Sequence, residues 1–120
     1  MTRKESDVQK VCLQYLKAAD YYIWRNNTRV VNMIGAGGRY RPISFGFKGS
    51  ADIIGVTPTG RFLAVECKRP LGPRGGHNGS KQSDDQIEFE KEVKKRNGIY
   101  LMVRSLDDLI AGLEKNEQPQ

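Results

Sequence analysis

The chain has 120 residues, enough for one domain with a single modest core. Twenty Lys and Arg against 14 Asp and Glu give a net charge of +6, which suits a polyanionic partner such as nucleic acid. No run is long and apolar enough to span a membrane, the first ten residues are too charged for a signal peptide, and one histidine with two distant cysteines argues against a zinc cluster or a disulfide framework.

In chain order, Val8, Val11, Cys12, Tyr15, Leu16 and Ala19 recur at helical spacing and predict a helix over 3–19. Residues 21–26 predict a strand, with Trp24 and the adjacent tyrosines read as core or interface. A short strand is expected near 30–34, followed by a loop rich in Gly and Arg. ADIIGVT (51–57) and RFLAVECK (61–68) read as strands joined by a Pro58-Thr59-Gly60 turn. A long, mobile, glycine-rich loop is expected over 69–81. Ser83 caps a helix over 83–98 that ends at Gly98, residues 99–104 form a strand, and Ser105 caps a last helix over 106–115. Residues 1–115 thus read as one domain, with a disordered tail over 116–120. Cys12 and Cys67 read as isolated thiols, which fit a reducing cytoplasm.

The three-residue turn fixes a register. It sets Thr57 opposite Arg61, Ile53 opposite Val65 and Asp52 opposite Glu66. Directly opposed side chains share a face, with Cβ atoms roughly 4.5–5.5 Å apart. Lys68, two residues beyond Glu66, joins that face, while Leu63, Val65 and Cys67 point into the core. Two facing carboxylates repel, and a divalent cation such as Mg²⁺ relieves the conflict. A lysine beside the metal can position or deprotonate water, or stabilise charge on a phosphate. The plainer alternative is that Lys68 salt-bridges both acids at the strand end.

GSAD followed by VECK resembles the PD-(D/E)XK nuclease pattern, an Asp on one strand and D/E-x-K on the next. Ala51 stands where the pattern has proline. The wider stretch, from RYRPISFGFKGSAD to RSLDDLIAGL, is similar to the VRR-NUC (virus-type replication-repair nuclease) branch, with Lys48-Gly49 before the acid, Gln86 on the following helix and Glu5 on the first helix. The resemblance spans roughly residues 5–113. It implies a restriction-endonuclease-like α/β fold, a central mixed sheet flanked by helices. It also implies Mg²⁺ or Mn²⁺ dependence, DNA as substrate, branched DNA included, and similarity to homodimeric enzymes that resolve Holliday junctions in phage or bacterial DNA repair. In that picture Asp52, Glu66, Glu5 and the Cys67 carbonyl hold the metal, Lys68 activates water, and Gln86 orients the water or the lysine. Glu5 and Gln86 also fit capping boxes, with Thr2 and Ser83 as the respective caps.

Arg39, Arg41, Lys48, Arg69, Arg74 and Lys81 flank the site in sequence and as a set read as DNA-facing; His77 reads as a surface residue. GAGGRY (35–40) is not a dinucleotide fingerprint, because Tyr40 takes the sixth position. GGHNGSK fails as a P-loop because Ser80 separates Gly79 from Lys81. A non-catalytic nucleic-acid-binding module and an oligomeric structural protein with a buried ion pair are the rival readings.

Overall fold

The computed structural model describes residues 4–26, 30–44, 49–70 and 82–117. In chain order the elements are α1 (Glu5–Ala18), β1 (Tyr22–Arg25), β2 (Val30–Ile34), a 3₁₀ turn (Ala36–Gly38), β3 (Tyr40–Ser44), β4 (Ile53–Val56), β5 (Phe62–Cys67), α2 (Asp84–Lys95), β6 (Ile99–Val103) and α3 (Leu106–Glu117).

One tight turn organises the sheet. Thr57 N–H donates to the Arg61 carbonyl at 2.8 Å, Gly60 N–H to the Thr57 carbonyl at 2.9 Å, and Arg61 N–H to Thr57 Oγ1 at 3.0 Å. Gly60 takes a φ of 91°, a left-handed conformation that a side chain would strain. The register follows as the turn demands, Val56 opposite Phe62 and Ile53 opposite Val65. β1 pairs antiparallel with β4, and β6 pairs parallel with β5, giving a mixed sheet ordered β1-β4-β5-β6.

Helices cover both faces of β5. On one face, Val8, Cys12 and Leu16 of α1 and Leu109 and Leu113 of α3 meet Ile53, Leu63, Val65, Cys67, Ile99 and Val103. On the other, Val93 and half-buried Phe89 of α2 pack on Ala51, Ala64 and Tyr100, and the Phe89 and Tyr100 rings meet edge to face at 6.0 Å. Residues 63–67 are consequently buried on both sides, which explains their unbroken apolar run up to Glu66. The architecture is α/β, with four strands in one mixed sheet and three helices against it.

Several expectations are corrected. The Gly- and Arg-rich stretch after Ile34 is not a loop: it turns back as β3, with Val30 opposite Ser44 and Ile34 opposite Tyr40. Pro42 is tolerated because every strand of a two-stranded ribbon is an edge. Of the two alternatives for them, core or interface, Tyr22 and Trp24 are not core. They are 78% and 48% exposed, edge to face at 6.1 Å, since β1 is an edge strand and only Ile23 turns to the core. Ala19 lies past the end of α1 and is exposed. α2 ends at Lys95, and Asn97 rather than Gly98 takes the left-handed conformation, with φ 65°.

α3 runs two residues into the expected tail. Arg61 holds that end by donating from Nη1 to the Asn116 carbonyl (2.7 Å) and from Nε to the Asn97 carbonyl (3.0 Å). Tyr21 OH donates to Glu117 Oε2 at 2.9 Å. The rest of the tail, 118–120, lies outside the described residues, as do residues 71–81 of the expected loop. Cys12 and Cys67 are free thiols, as expected, and both are buried in the core. Among the described residues no helix is long and apolar enough to cross a membrane.

Leu16 is fully buried at the meeting of α1 and the sheet. Leu16→Ala is expected to lower the unfolding free energy by about 2–5 kcal/mol. A urea titration checks this, with the midpoint falling at unchanged slope.

Candidate functional site

The site lies at the sheet end where β5 finishes and β4 begins. One step beyond the Ile53–Val65 pair, Asp52 comes level with Glu66. Asp52 Oδ2 accepts from the Cys67 amide at 2.8 Å, which turns the carboxylate toward β5. Glu66 and Lys68 alternate with the core-facing Cys67 and are only 5% and 7% exposed. The Lys68 amide donates to the Val103 carbonyl at 2.8 Å, so the extended backbone continues past β5 and aims Lys68 along the face of Glu66.

Gln86 closes the expected capping box and also faces the sheet, where it reaches Glu66. Its backbone N–H donates to Ser83 Oγ at 3.2 Å, and its Oε1 accepts from the Ser83 N–H at 2.9 Å, closing a capping box. Its Nε2 donates to Glu66 Oε1 at 3.0 Å. Lys68 Nζ lies 3.5 Å from Gln86 Oε1 and 3.7 Å from Glu66 Oε1. Asp52, Glu66, Lys68 and Gln86 therefore form one connected group built from two strands and a helix start.

Glu5 stands apart. The expected capping box of Thr2 and Glu5 is not the one that forms at α1. Lys4 is the N-cap, and its amide donates to Asp7 Oδ2 at 3.0 Å, leaving Glu5 as the first helical residue with an exposed side chain. Thr2 lies outside the described residues. The Glu5 charge reaches Glu66, but among the described residues no three or more His, Cys, Asp or Glu side chains converge as a metal-binding group. Cys67 contributes its amide to Asp52, while its thiol faces Cys12 in the core. The hydrogen bond to Cys12 and then burial push the Cys67 thiol far up.

The electrostatics follow from burial. Desolvation first, then the Asp52 charge, pushes the Glu66 carboxyl up to about 8, against the pull of Lys68. Glu66 Oε1 is engaged by Gln86 and Lys68, whereas no donor among the described residues reaches the buried Oε2, and the hydrogen bond that a protonated Glu66 makes with Asp52 adds to its upward shift. A carboxylate oxygen that no such donor reaches, beside a second carboxylate, suits a hard cation, and Mg²⁺ takes one or two carboxylates with the remaining positions filled by water and phosphate. The donor set fits such an ion on that count, and Asp52 and Glu66 are the residues that would hold it.

Supporting residues that the sequence did not single out hold this group. Asn26 Nδ2 donates to Ser50 Oγ at 2.6 Å and to the Ala51 carbonyl at 3.0 Å, and its amide donates to the Asp52 carbonyl at 2.7 Å. The only hint was a polar residue ending an apolar strand. Gln82 Nε2 donates to Tyr100 OH at 3.1 Å and Glu90 Oε1 at 3.0 Å, which ties the entry of α2 to β6. Gly49 takes a φ of 84°, and a Cβ there would lie 2.5 Å from the Asp85 backbone, so a glycine lets this turn close on α2.

Of the basic residues, Arg39 is exposed at the start of β3's approach, Arg41 lies in β3 opposite Met33, and Arg69 is exposed directly after Lys68 with its carbonyl accepting from Arg104. Lys48, Arg74, Lys81 and His77 lie outside the described residues. No protein-family model matches this chain, and no curated protein matches it.

The raised Glu66 value fixes a pH dependence. Its folded value of about 8 exceeds the ordinary 4.5, so its contribution to stability is fully present below 4.5 and is lost as pH rises through 8. In EDTA the melting temperature is expected to fall across that window, with Glu66→Gln flattening the fall. Adding Mg²⁺ or Mn²⁺ at pH 8 is expected to raise it in the unaltered chain only. Thermal melts from pH 4 to 9 check all three outcomes.

Proposed function

We propose that the chain is a metal-dependent DNA endonuclease of the PD-(D/E)XK type, of the VRR-NUC branch, acting on branched DNA of the Holliday-junction kind. The observation that carries the reading is the pair of buried Glu66 and Lys68 beside half-buried Asp52, with no donor among the described residues on one Glu66 oxygen. A bound Mg²⁺ or Mn²⁺ supplies the positive charge that lets both carboxylates ionise and stabilises charge on the scissile phosphate. Asp52 and Glu66 would hold the ion through their carboxylates, with the Cys67 carbonyl and Glu5 as the further candidate ligands. Lys68 Nζ orients the attacking water and is steadied by Glu66 and Gln86. Water adds to phosphorus and gives up a proton to solvent as the P–O bond to the leaving strand breaks, and the departing oxygen takes up a proton from solvent. No side chain forms a covalent intermediate.

The basic excess supports DNA as the partner, since neutralised phosphates give salt-dependent affinity. A homodimer in the cytoplasm belongs to the same reading. The exposed apolar row of Tyr22, Val56 and Phe62, aligned across β1, β4 and β5, supports self-association.

The decisive experiment follows a labelled four-way junction and a matched linear duplex with Mg²⁺, Mn²⁺ or EDTA. Metal-dependent cutting is expected, and Glu66→Ala and Lys68→Ala are each expected to lower it at least 10²-fold, about 2.7 kcal/mol of transition-state stabilisation. Cutting that survives both substitutions would sink the site assignment. Tight, metal-indifferent binding without cutting would favour the non-catalytic module.

A further inference from the structure

The β2–β3 ribbon is the part of the chain that the nuclease reading leaves unexplained. Among the described residues its two strands pair with each other and with no other strand. A lone two-stranded ribbon is marginal in water, so it gains order from whatever lies against it. Its paired part is about 17 Å long, five residues at strand rise. It leaves the sheet after Asn26 and returns at Gly49, and the two roots are tied by the Asn26–Ser50 hydrogen bond of 2.6 Å. Asp52 follows the returning root by two residues, so the ribbon springs from the sheet end that carries the carboxylates.

The charge of this segment selects a polyanion. Residues 21–51 contain Arg25, Arg29, Arg39, Arg41 and Lys48 and no Asp or Glu, so all 14 acids of the chain lie elsewhere. A two-stranded ribbon also has the width that a DNA groove admits. At its far end, Ile34 and Tyr40 stand directly opposite each other, 67% and 72% exposed. Exposed Arg39 adjoins them, and the turn between is Gly35, Ala36, Gly37 and Gly38, with open space around Gly37 and Gly38. A ring and a branched aliphatic side chain paired beside an arginine have the chemistry to stack on an unstacked base while a phosphate is held.

Resting on the nuclease reading, we propose that the β2–β3 ribbon is an arm that reads DNA branch points: Ile34 and Tyr40 stack against bases exposed at the branch while Arg39 holds the adjoining phosphate. Linear duplex offers no such base without unstacking, so the arm confers preference for branched DNA.

The test measures binding by the full chain in EDTA to a four-way junction carrying 2-aminopurine at the branch and to a linear duplex of equal length. At least tenfold tighter junction binding is expected, with a change in 2-aminopurine fluorescence. An Ile34→Ala, Tyr40→Ala double variant is expected to lose the fluorescence change and reduce the preference below threefold. Tyr40→Leu keeps an apolar strand residue, removes the ring, and serves if the double variant fails to fold. Arg39→Ala is expected to weaken both DNAs alike and to reduce the salt slope by about one. No junction preference in the unaltered chain, or a preference that survives loss of the tip pair, overturns the proposal. So does a tip variant whose only change is from dimer to monomer by light scattering, which would make the ribbon a contact with a second copy. Discrimination in EDTA without cutting in Mg²⁺ or Mn²⁺ would sink the nuclease reading and leave the arm standing.

Discussion

The repulsion between Asp52 and Glu66 is a consequence of a turn. A three-residue loop at 58–60 admits one register, and that register sets the two carboxylates level at the end of the sheet. Burying a pair of like charges is unfavourable, and the fold offsets it with specific partners. The Cys67 amide serves Asp52, and Gln86 and Lys68 serve one oxygen of Glu66. No donor among the described residues reaches the remaining oxygen. The surrounding chain is arranged to hold this unfavourable pair still.

Helix α2 is the main brace. Gln86, the third residue of α2, closes the cap and touches Glu66 with the same side-chain amide, so the cap and the site are not independent. Gln82 anchors the preceding residue pair to Tyr100, whose phenol burial pushes up to about 12, with Glu66 and Asp52 adding to the rise. On the other side Gly49 lets the turn before Asp52 close onto Asp85. Three short-range devices thus fix where the helix starts relative to the carboxylates, which matters because electrostatic effects at such distances change steeply with position.

The sequence carried those features that depend on local chemistry. The turn, the register, the inward set of Leu63, Val65 and Cys67, and the grouping of Asp52, Glu66 and Lys68 follow from residue spacing alone. Features that depend on distant parts of the chain did not. β3 was hidden because three glycines and Pro42 masked its alternation, and its pairing is with β2 rather than with the main sheet. Trp24 suggests burial by its size, but exposure is decided by the position of β1 at an edge. Cys12 and Cys67 are 55 residues apart and meet only because α1 lies on β5. Asn26 and Tyr100 support the site through contacts that no motif records. At α1, Asp7 outcompeted Glu5 for the cap by being three residues beyond the actual N-cap.

The tie between Asn26 and Ser50 has a meaning for how such a chain can change over generations. Because the two ends of the ribbon are already clasped at the sheet, the loop-closure entropy of whatever lies between them is met locally, and each doubling of its length adds only about 0.6 kcal/mol. The segment from 27 to 48 is therefore an exchangeable module. It can lengthen, shorten or be recast without moving Asp52, so the ribbon and the carboxylate end of the sheet can change independently.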